Sequence, residues 1–472
     1  MLQSATPAAT AVQVPEVLPT VMPQIPVVPA MLPAAPPELA LPAQLPADLP
    51  AQGRAALAAA LAGPVPGPRR DRGALVHADA PACWDEDECA RLLGFMDQVQ
   101  DTRNPRGRLY PLRYLLALPL VAGMAGDDET DAAAEWAASA PDELLVRLGA
   151  PLDRSGRPMR PDAATLGRAL GDVDQVAYDD ALCGWTAARA RALRPGMRRH
   201  LRLDGKALRG ARRDGSTPML LSGVWDDGTT AAQLPVNTKK TNEIPVFRQL
   251  LNKIPDGDLA GAVITADQMH TQRKHATLIR RKGAYWVLTI GENQPKLFAA
   301  ADAMCWRAVA VDAWTADRGH GRIDVRTIKV LPPSALVSKL FPHVAQVFLV
   351  ERYSYDTDGN LLGAVAVLGI TSLPADLAGP GDLLAYLRGH WSIEMHHYVR
   401  DVVLGEDASR VSRAHQARAA IRNTVIGILH LHQVPNIAAQ LRACHRDPYR
   451  LPLQLLGLTR PAPKPAGNLA VA

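Results

Sequence analysis

Three acidic residues are the ones whose type and placing can do chemistry: Asp204 in HLRLDGKALRG, Asp267 in GAVITADQMHTQ and Glu394 in RGHWSIEMHHY. The alternation of Leu201, Arg202 and Leu203 reads as a strand that delivers Asp204 at its end, and GAVITAD delivers Asp267 in the same manner. Open α/β sheets form their clefts at strand C-termini, so the two carboxylates converge if their strands are neighbours. A helix from about Pro380 to Val403 supplies the third acid. Along it Leu384, Leu387, Trp391, Met395, Tyr398 and Val402 recur at three- and four-residue steps as a packing stripe, and His390, Glu394, His397 and Asp401 recur on the flank beside it. Three carboxylates in a partly dry cleft repel one another unless protonated or neutralised by a cation, and an all-oxygen set favours Mg2+ or Mn2+ over zinc. Two such ions, roughly 3.5 to 4 Å apart, can activate an attacking hydroxyl and stabilise the leaving oxygen of a phosphodiester. Other readings stay open at this point. Aspartate before glycine is also ordinary turn grammar, the His390, Glu394, His397 spacing could take zinc or iron although it is not HExxH, and the polar flank could be a solvated helix face.

The elements that must position these acids follow from the chain's grammar. After residue 199, HLRLDG, PMLLSGVWD and TAAQLPVN read as three strands, NEIPVFRQLLNKI as a helix, GAVITAD as a strand, TQRKHATLIRRKG as a helix and AYWVLTIG as a strand. A three-strand meander followed by βαβ units implies a mixed sheet covered by helices. Residues 305–372 add a strand-rich segment with RIDVRTIKVL, VAQVFLVERYSY and LLGAVAVLGITSL before the acid-bearing helix. Residues 85–195 read as several short helices broken by Gly, Pro and Asp, an all-α domain that can hold a helix-turn-helix for DNA or serve as a packing module. Residues 1–74 hold 15 of the 40 prolines among Ala, Leu and Val, a composition that reads as a disordered tail, and 459–472 read as a second one.

Bulk composition narrows the class. A chain of 472 residues with 47% hydrophobic residues builds a large core, and a net charge of +5 with pI near 9.0 suits a polyanionic partner without requiring one. Five scattered cysteines form no CxxC pattern, the apolar stretch at 111–126 is too short for a bilayer, and the N-terminus lacks the basic start of a signal peptide. The expectation is a cytoplasmic protein with no membrane partner and no small-molecule cofactor, associated with the nucleoid when acting.

Seven blocks in order, LDGKALRG, KKTNEIPVF, ITADQMHTQ, YWVLTIGENQPKL, RGHGRIDVRTI, RGHWSIE and GEDASR followed by RNTVIGILHL, resemble the H-repeat-associated insertion-sequence transposases of the DDE superfamily over about residues 90–458. The resemblance implies an RNase H-like α/β core over 199–458 with a strand insertion, preceded by a helical region at 85–195 that helps grip DNA ends. It also implies two Mg2+ or Mn2+ ions held by Asp204, Asp267 and Glu394, double-stranded DNA as partner, and at least a dimer, since two DNA ends must be joined. Related transposases often place a lysine or arginine seven residues after the glutamate; here that position is Asp401, beside Arg400.

Beside that family reading, Lys206 and Arg209 can engage phosphates or be solvated loop cations. His320 and Arg322, in the Gly-rich turn 318–322, are placed at DNA, with a plain hairpin turn as the alternative. Asn293 and Gln294 can contact DNA or a neighbouring loop, and Arg388 joins the DNA-contacting set. His390, His397, Glu406 and Asp407 are expected to support the acids, and Trp391 is expected in the core rather than stacked on a base.

Overall fold

The computed structural model describes residues 82–461 apart from 128, 194–198, 214–215, 237–242, 320 and 411–412. The expected tail at 1–74 and residues 462–472 therefore lie outside the described residues. Eleven strands are seen among those described: β1 (Ala82–Trp84), β2 (His200–Ala207), β3 (Met219–Trp225), β4 (Thr230–Val236), β5 (Val263–Ala266), β6 (Tyr285–Thr289), β7 (Ala313–Gly319), β8 (Arg322–Leu331), β9 (Gln346–Asp356), β10 (Leu361–Thr371) and β11 (Thr459–Pro461). Thr459–Pro461, assigned to the C-terminal tail from sequence, instead pair with β1, Cys83 opposite Arg460.

Nine strands make one sheet in the order β4-β3-β2-β5-β6-β10-β9-β8-β7. The meander β2–β3–β4 is antiparallel, β2–β5 and β5–β6 are parallel, and the rest of the sheet is antiparallel. The first five strands in chain order thus lie 3-2-1-4-5, the mixed order expected of an RNase H-like core. The inserted strands β7–β10 form no separate sheet. They continue the core from β6 outward, with Ile370 of β10 opposite Leu288 of β6.

Helices cover this sheet for reasons visible in their faces. Asp85 caps the helix Glu86–Met96 by accepting from the Glu88 amide, and Cys89, Leu92 and Met96 turn inward. Leu112–Ala125 is buried on every side except at Arg113, which accounts for its unbroken apolar run without a membrane. No helix among the described residues is long and apolar enough to cross a bilayer. Gln175–Leu193, a helix the amphipathic pattern does not announce, packs against both His415–Leu431 and β4, so its inward residues are spread around its circumference. His415–Leu431 is the spine of the molecule, and its Ala417, Ile421, Val425 and Ile428 belong to the same core as Leu116, Leu182 and Trp185 of the N-terminal helices.

Candidate active site

The register between β2 and β5 sets the site. His200 faces Val263, Leu201 faces Ile264, Arg202 faces Thr265 and Leu203 faces Ala266. One further step in that register brings Asp204 beside Asp267. Asp204 does not end its strand, as the alternation had suggested: pairing with β3 carries on through Lys206 and Ala207, opposite Leu220 and Met219. The Asp204 carboxylate accepts from the Gly205 amide at 2.8 Å and lies 3.4 Å from His397 Nδ1.

Electrostatics ties the third acid to these two. Burial pushes the Asp204 carboxyl up to about 7, and the charges of Asp267, Glu243 and Glu394 add to the rise against the hydrogen bond from Gly205. Asp267 is raised by burial and by Glu243, opposed by His270. Glu394 is raised by burial and by Asp267. Burial, assisted by Arg400, His396 and Lys206, pushes the His397 imidazole far down, so it stands beside Asp204 as a neutral ring.

Glu243 was not among the candidates from sequence. It begins the helix Glu243–Lys253, is buried, and lies 3.2 Å from His270 Nε2. Its carboxylate presses so closely on β2 that a Cβ at Gly205 would run into it. The glycine after Asp204 thus leaves room for the Glu243 carboxylate beside β2, and a larger residue there would push that side chain aside.

The acid-bearing helix departs from its expected register. It runs as Pro380–His390, turns at Trp391, resumes over Ser392–Tyr398 and widens into a π-helical turn over Val399–Val403. Leu383 and Leu384 face the core before the turn, but Ile393, His396 and Arg400 do so after it. Trp391, Met395, Tyr398 and Val402, expected as a packing stripe, are each more than half exposed. The buried polar side chains find partners on other elements: His396 Nε2 meets Asn423 Oδ1 at 3.0 Å, and Arg400 donates to Glu406 at 2.7 Å. Trp391 is thus a surface residue, one helical turn before Glu394.

The remaining candidates separate into several groups. Lys206 is buried, its ammonium held by Asp401 and lying 3.6 Å from Glu406, so it braces β2 against the end of the acid helix rather than facing solvent. Asp401 is the acidic half of that brace. Glu406 also lies 3.6 Å from Arg422. Arg209 is largely exposed, 3.6 Å from Asp407, and Gly210 beside it packs against the 406–409 turn so tightly that a Cβ would run into the Glu406 and Ser409 carbonyls. Asn293 donates to the Gln268 carbonyl at 2.8 Å and Gln294 to that of Thr271 at 2.9 Å, which joins the loop after β6 to the loop carrying Asp267. Arg388 donates to Asp317 on edge strand β7 at 2.6 Å, and the exposed Arg322 lies 3.4 Å from Asp324. His390 Nδ1 lies 3.0 Å from Thr265 Oγ1, and burial with Arg202 pushes the ring down to about 4. His320 lies outside the described residues.

The donor set suits a hard divalent cation: all oxygen, mutually repelling and open to solvent at Asp267 and Glu394, with Asp204 half-buried. Among the described residues no three His, Cys, Asp or Glu side chains already stand close enough together to hold one ion.

Residues 188–428, just over half the chain, match the family described as Transposase DDE domain, and residues 93–186 match the companion family defined by association with that domain. The putative transposase YncI of Escherichia coli O157:H7 is 25% identical over 365 residues, covering 72% of this chain and 87% of the relative. The H repeat-associated putative transposase YhhI of Escherichia coli strain K12 is 26% identical over 243 residues, covering 48% of this chain and 63% of the relative. The cryo-EM structure of a piggyBac transposase synaptic complex with hairpin DNA is 12% identical, with a TM-score of 0.38 over 79% of this chain and 81% of that one.

Proposed function

The chain belongs to the DDE transposase family, and on that premise we propose that it is a metal-dependent DNA transposase whose catalytic acids are Asp204, Asp267 and Glu394. In this reading water attacks a phosphodiester at each element end, releasing a 3′-hydroxyl. That hydroxyl then attacks a phosphodiester of target DNA, so one P–O bond forms as another breaks. The observation that carries the reading is the β2–β5 register, which sets Asp204 beside Asp267 while the charges of Asp267 and Glu394 raise the Asp204 carboxyl.

Two Mg2+ or Mn2+ ions held by these carboxylates would supply the activated oxygen nucleophile and neutralise the leaving oxygen. The chain's own groups do the rest. Glu243 keeps His270 in place and adds negative charge to the cradle, and the brace of Lys206, Asp401 and Glu406 fixes the end of the acid helix against β2. Arg209 and Arg322, both exposed, are available to phosphates at modest cost in broken ion pairs, and Arg388 is available once it leaves Asp317. The N-terminal helices would help grip the element end, and two copies acting together would join two ends.

Labelled DNA from the flanks of its own gene, incubated with the protein, Mg2+ and a target plasmid, tests this. The expected products are a nick that frees the 3′ end and a labelled joined plasmid, both absent with Asp267→Asn. Nicks without joined product would reassign the protein as a nuclease. Binding without any Asp267-dependent product would reduce it to a DNA-gripping relic.

A further inference from the structure

One level below the acids lies a second trio of residues, one on each acid-bearing element. His200 precedes Asp204 by four residues on β2, Thr265 precedes Asp267 by two at the end of β5, and His390 precedes Glu394 by four on the helix. Even spacing returns a strand side chain to the same face, and His390 closes the helix Pro380–His390 immediately before the turn that leads into the segment carrying Glu394. The three meet. His200 Nε2 lies 2.7 Å from Thr265 Oγ1, which lies 3.0 Å from His390 Nδ1.

The helix closes tightly over this trio. A Cβ on Gly389 would stand 3.2 Å from the His200 ring, and Tyr386 meets that ring edge-on at 5.2 Å between centroids. The Thr265 hydroxyl bridges the two rings, either accepting an N–H from each or accepting from one and giving its single proton to the bare nitrogen of the other. His390 is also the last residue of its helix before the turn at Trp391. Beyond that turn the outer face carrying Trp391, Met395 and Tyr398 is exposed, while His396 and Arg400 anchor only the downstream half.

We propose that His200, Thr265 and His390 form a positioning clamp that sets Glu394 against the two strand aspartates, an inference that rests on the metal-dependent function proposed above. The clamp joins the three acid-bearing elements through one buried hydroxyl, so the spacing of the acids depends on a residue that touches neither DNA nor cation. Removing comparable outer partners of metal ligands typically lowers metal affinity 10- to 100-fold.

The test measures Mn2+ binding by electron paramagnetic resonance on the full chain, with thermal melting of each variant alongside. Thr265→Val keeps the shape and removes the hydroxyl, and is expected to raise the Mn2+ concentration for half-saturation about tenfold. Thr265→Ser restores the hydroxyl and should return the value to within about twofold of wild type. His390→Phe breaks only the helix-side bond and must also weaken binding, which keeps the test alive if Thr265→Val does not fold. Wild-type Mn2+ affinity in a folded Thr265→Val or His390→Phe protein overturns the clamp, and so does a serine variant that fails to restore it. End-DNA cutting separates this from the function itself. Mn2+ binding that depends on Thr265 in a protein that never cuts DNA upholds the clamp and removes the transposase reading; DNA cutting by a protein whose Mn2+ affinity is unchanged in Thr265→Val does the reverse.

Discussion

Asp204 is a burden on the cation-free fold. Its carboxyl titrates at about 7 in the folded chain against an ordinary 3.8, because burial and three neighbouring carboxylates oppose its charge. Between about pH 4 and 7 the native state therefore holds a proton that the unfolded state has lost, so this group's contribution to stability falls as pH rises through that window and stays unfavourable above it. Asp204→Asn is expected to stabilise the cation-free protein by on the order of 2 kcal/mol at pH 8, with the gain fading towards pH 4, as read by urea unfolding at both pH values. A pH-independent gain, or a loss at pH 8, would refute that electrostatic picture. Strand alternation drew attention to Asp204 and Asp267 in the sequence, although Asp204 lies within β2 and not at its end. Glu243 stayed hidden, because an acid in the first turn of a helix reads as an ordinary companion of the helix dipole, and only its packing on Gly205 reveals its place. Lys206 was legible as a cation near the acid but not as a buried one, since its partners Asp401 and Glu406 lie about two hundred residues away.

At the scale of elements, the strands were readable because their apolar alternation and flanking turns are local signals, whereas the β2–β5 adjacency was only a condition in the sequence and is set by the parallel pairing of the sheet. The acid helix was misread for a specific reason. Periodicity assigns apolar residues to the inside, yet here Trp391, Met395, Tyr398 and Val402 face outward while His396 and Arg400 are buried among partners from other elements. Two substitutions distinguish the registers. Trp391→Ala should change unfolding free energy by no more than about 0.5 kcal/mol, as for an exposed site, whereas Ile393→Ala should cost about 2 to 5 kcal/mol, as for a buried one. Equal costs measured by denaturant unfolding would restore the original stripe. The tight packing of Gly210 on the 406–409 turn likewise joins LDGKALRG to GEDASR, two blocks whose contact no local pattern announces.

On the scale of the whole molecule, the N-terminal helices and the C-terminal helices share one core, with His415–Leu431 between the helical layer and the sheet. A composition shift near residue 199 suggests a domain border, but burial of Leu116, Leu182 and Trp185 with Ile421 and Val425 crosses it. A fragment comprising 199–472 would expose that apolar helix face and is expected to aggregate or stay unfolded when purified; a soluble fragment with a cooperative melt would show that the two parts are separable. The central claim concerns the cradle itself, and its most direct measurement is a crystal structure of the protein with Mn2+ and cleaved end DNA, using anomalous scattering to locate the metal. The prediction is two Mn2+ peaks, about 3.5 to 4 Å apart, bridged by Asp204 with Asp267 and Glu394 completing the cradle. Mn2+ bound elsewhere, or Glu394 turned away from both strand aspartates with DNA in place, would contradict it.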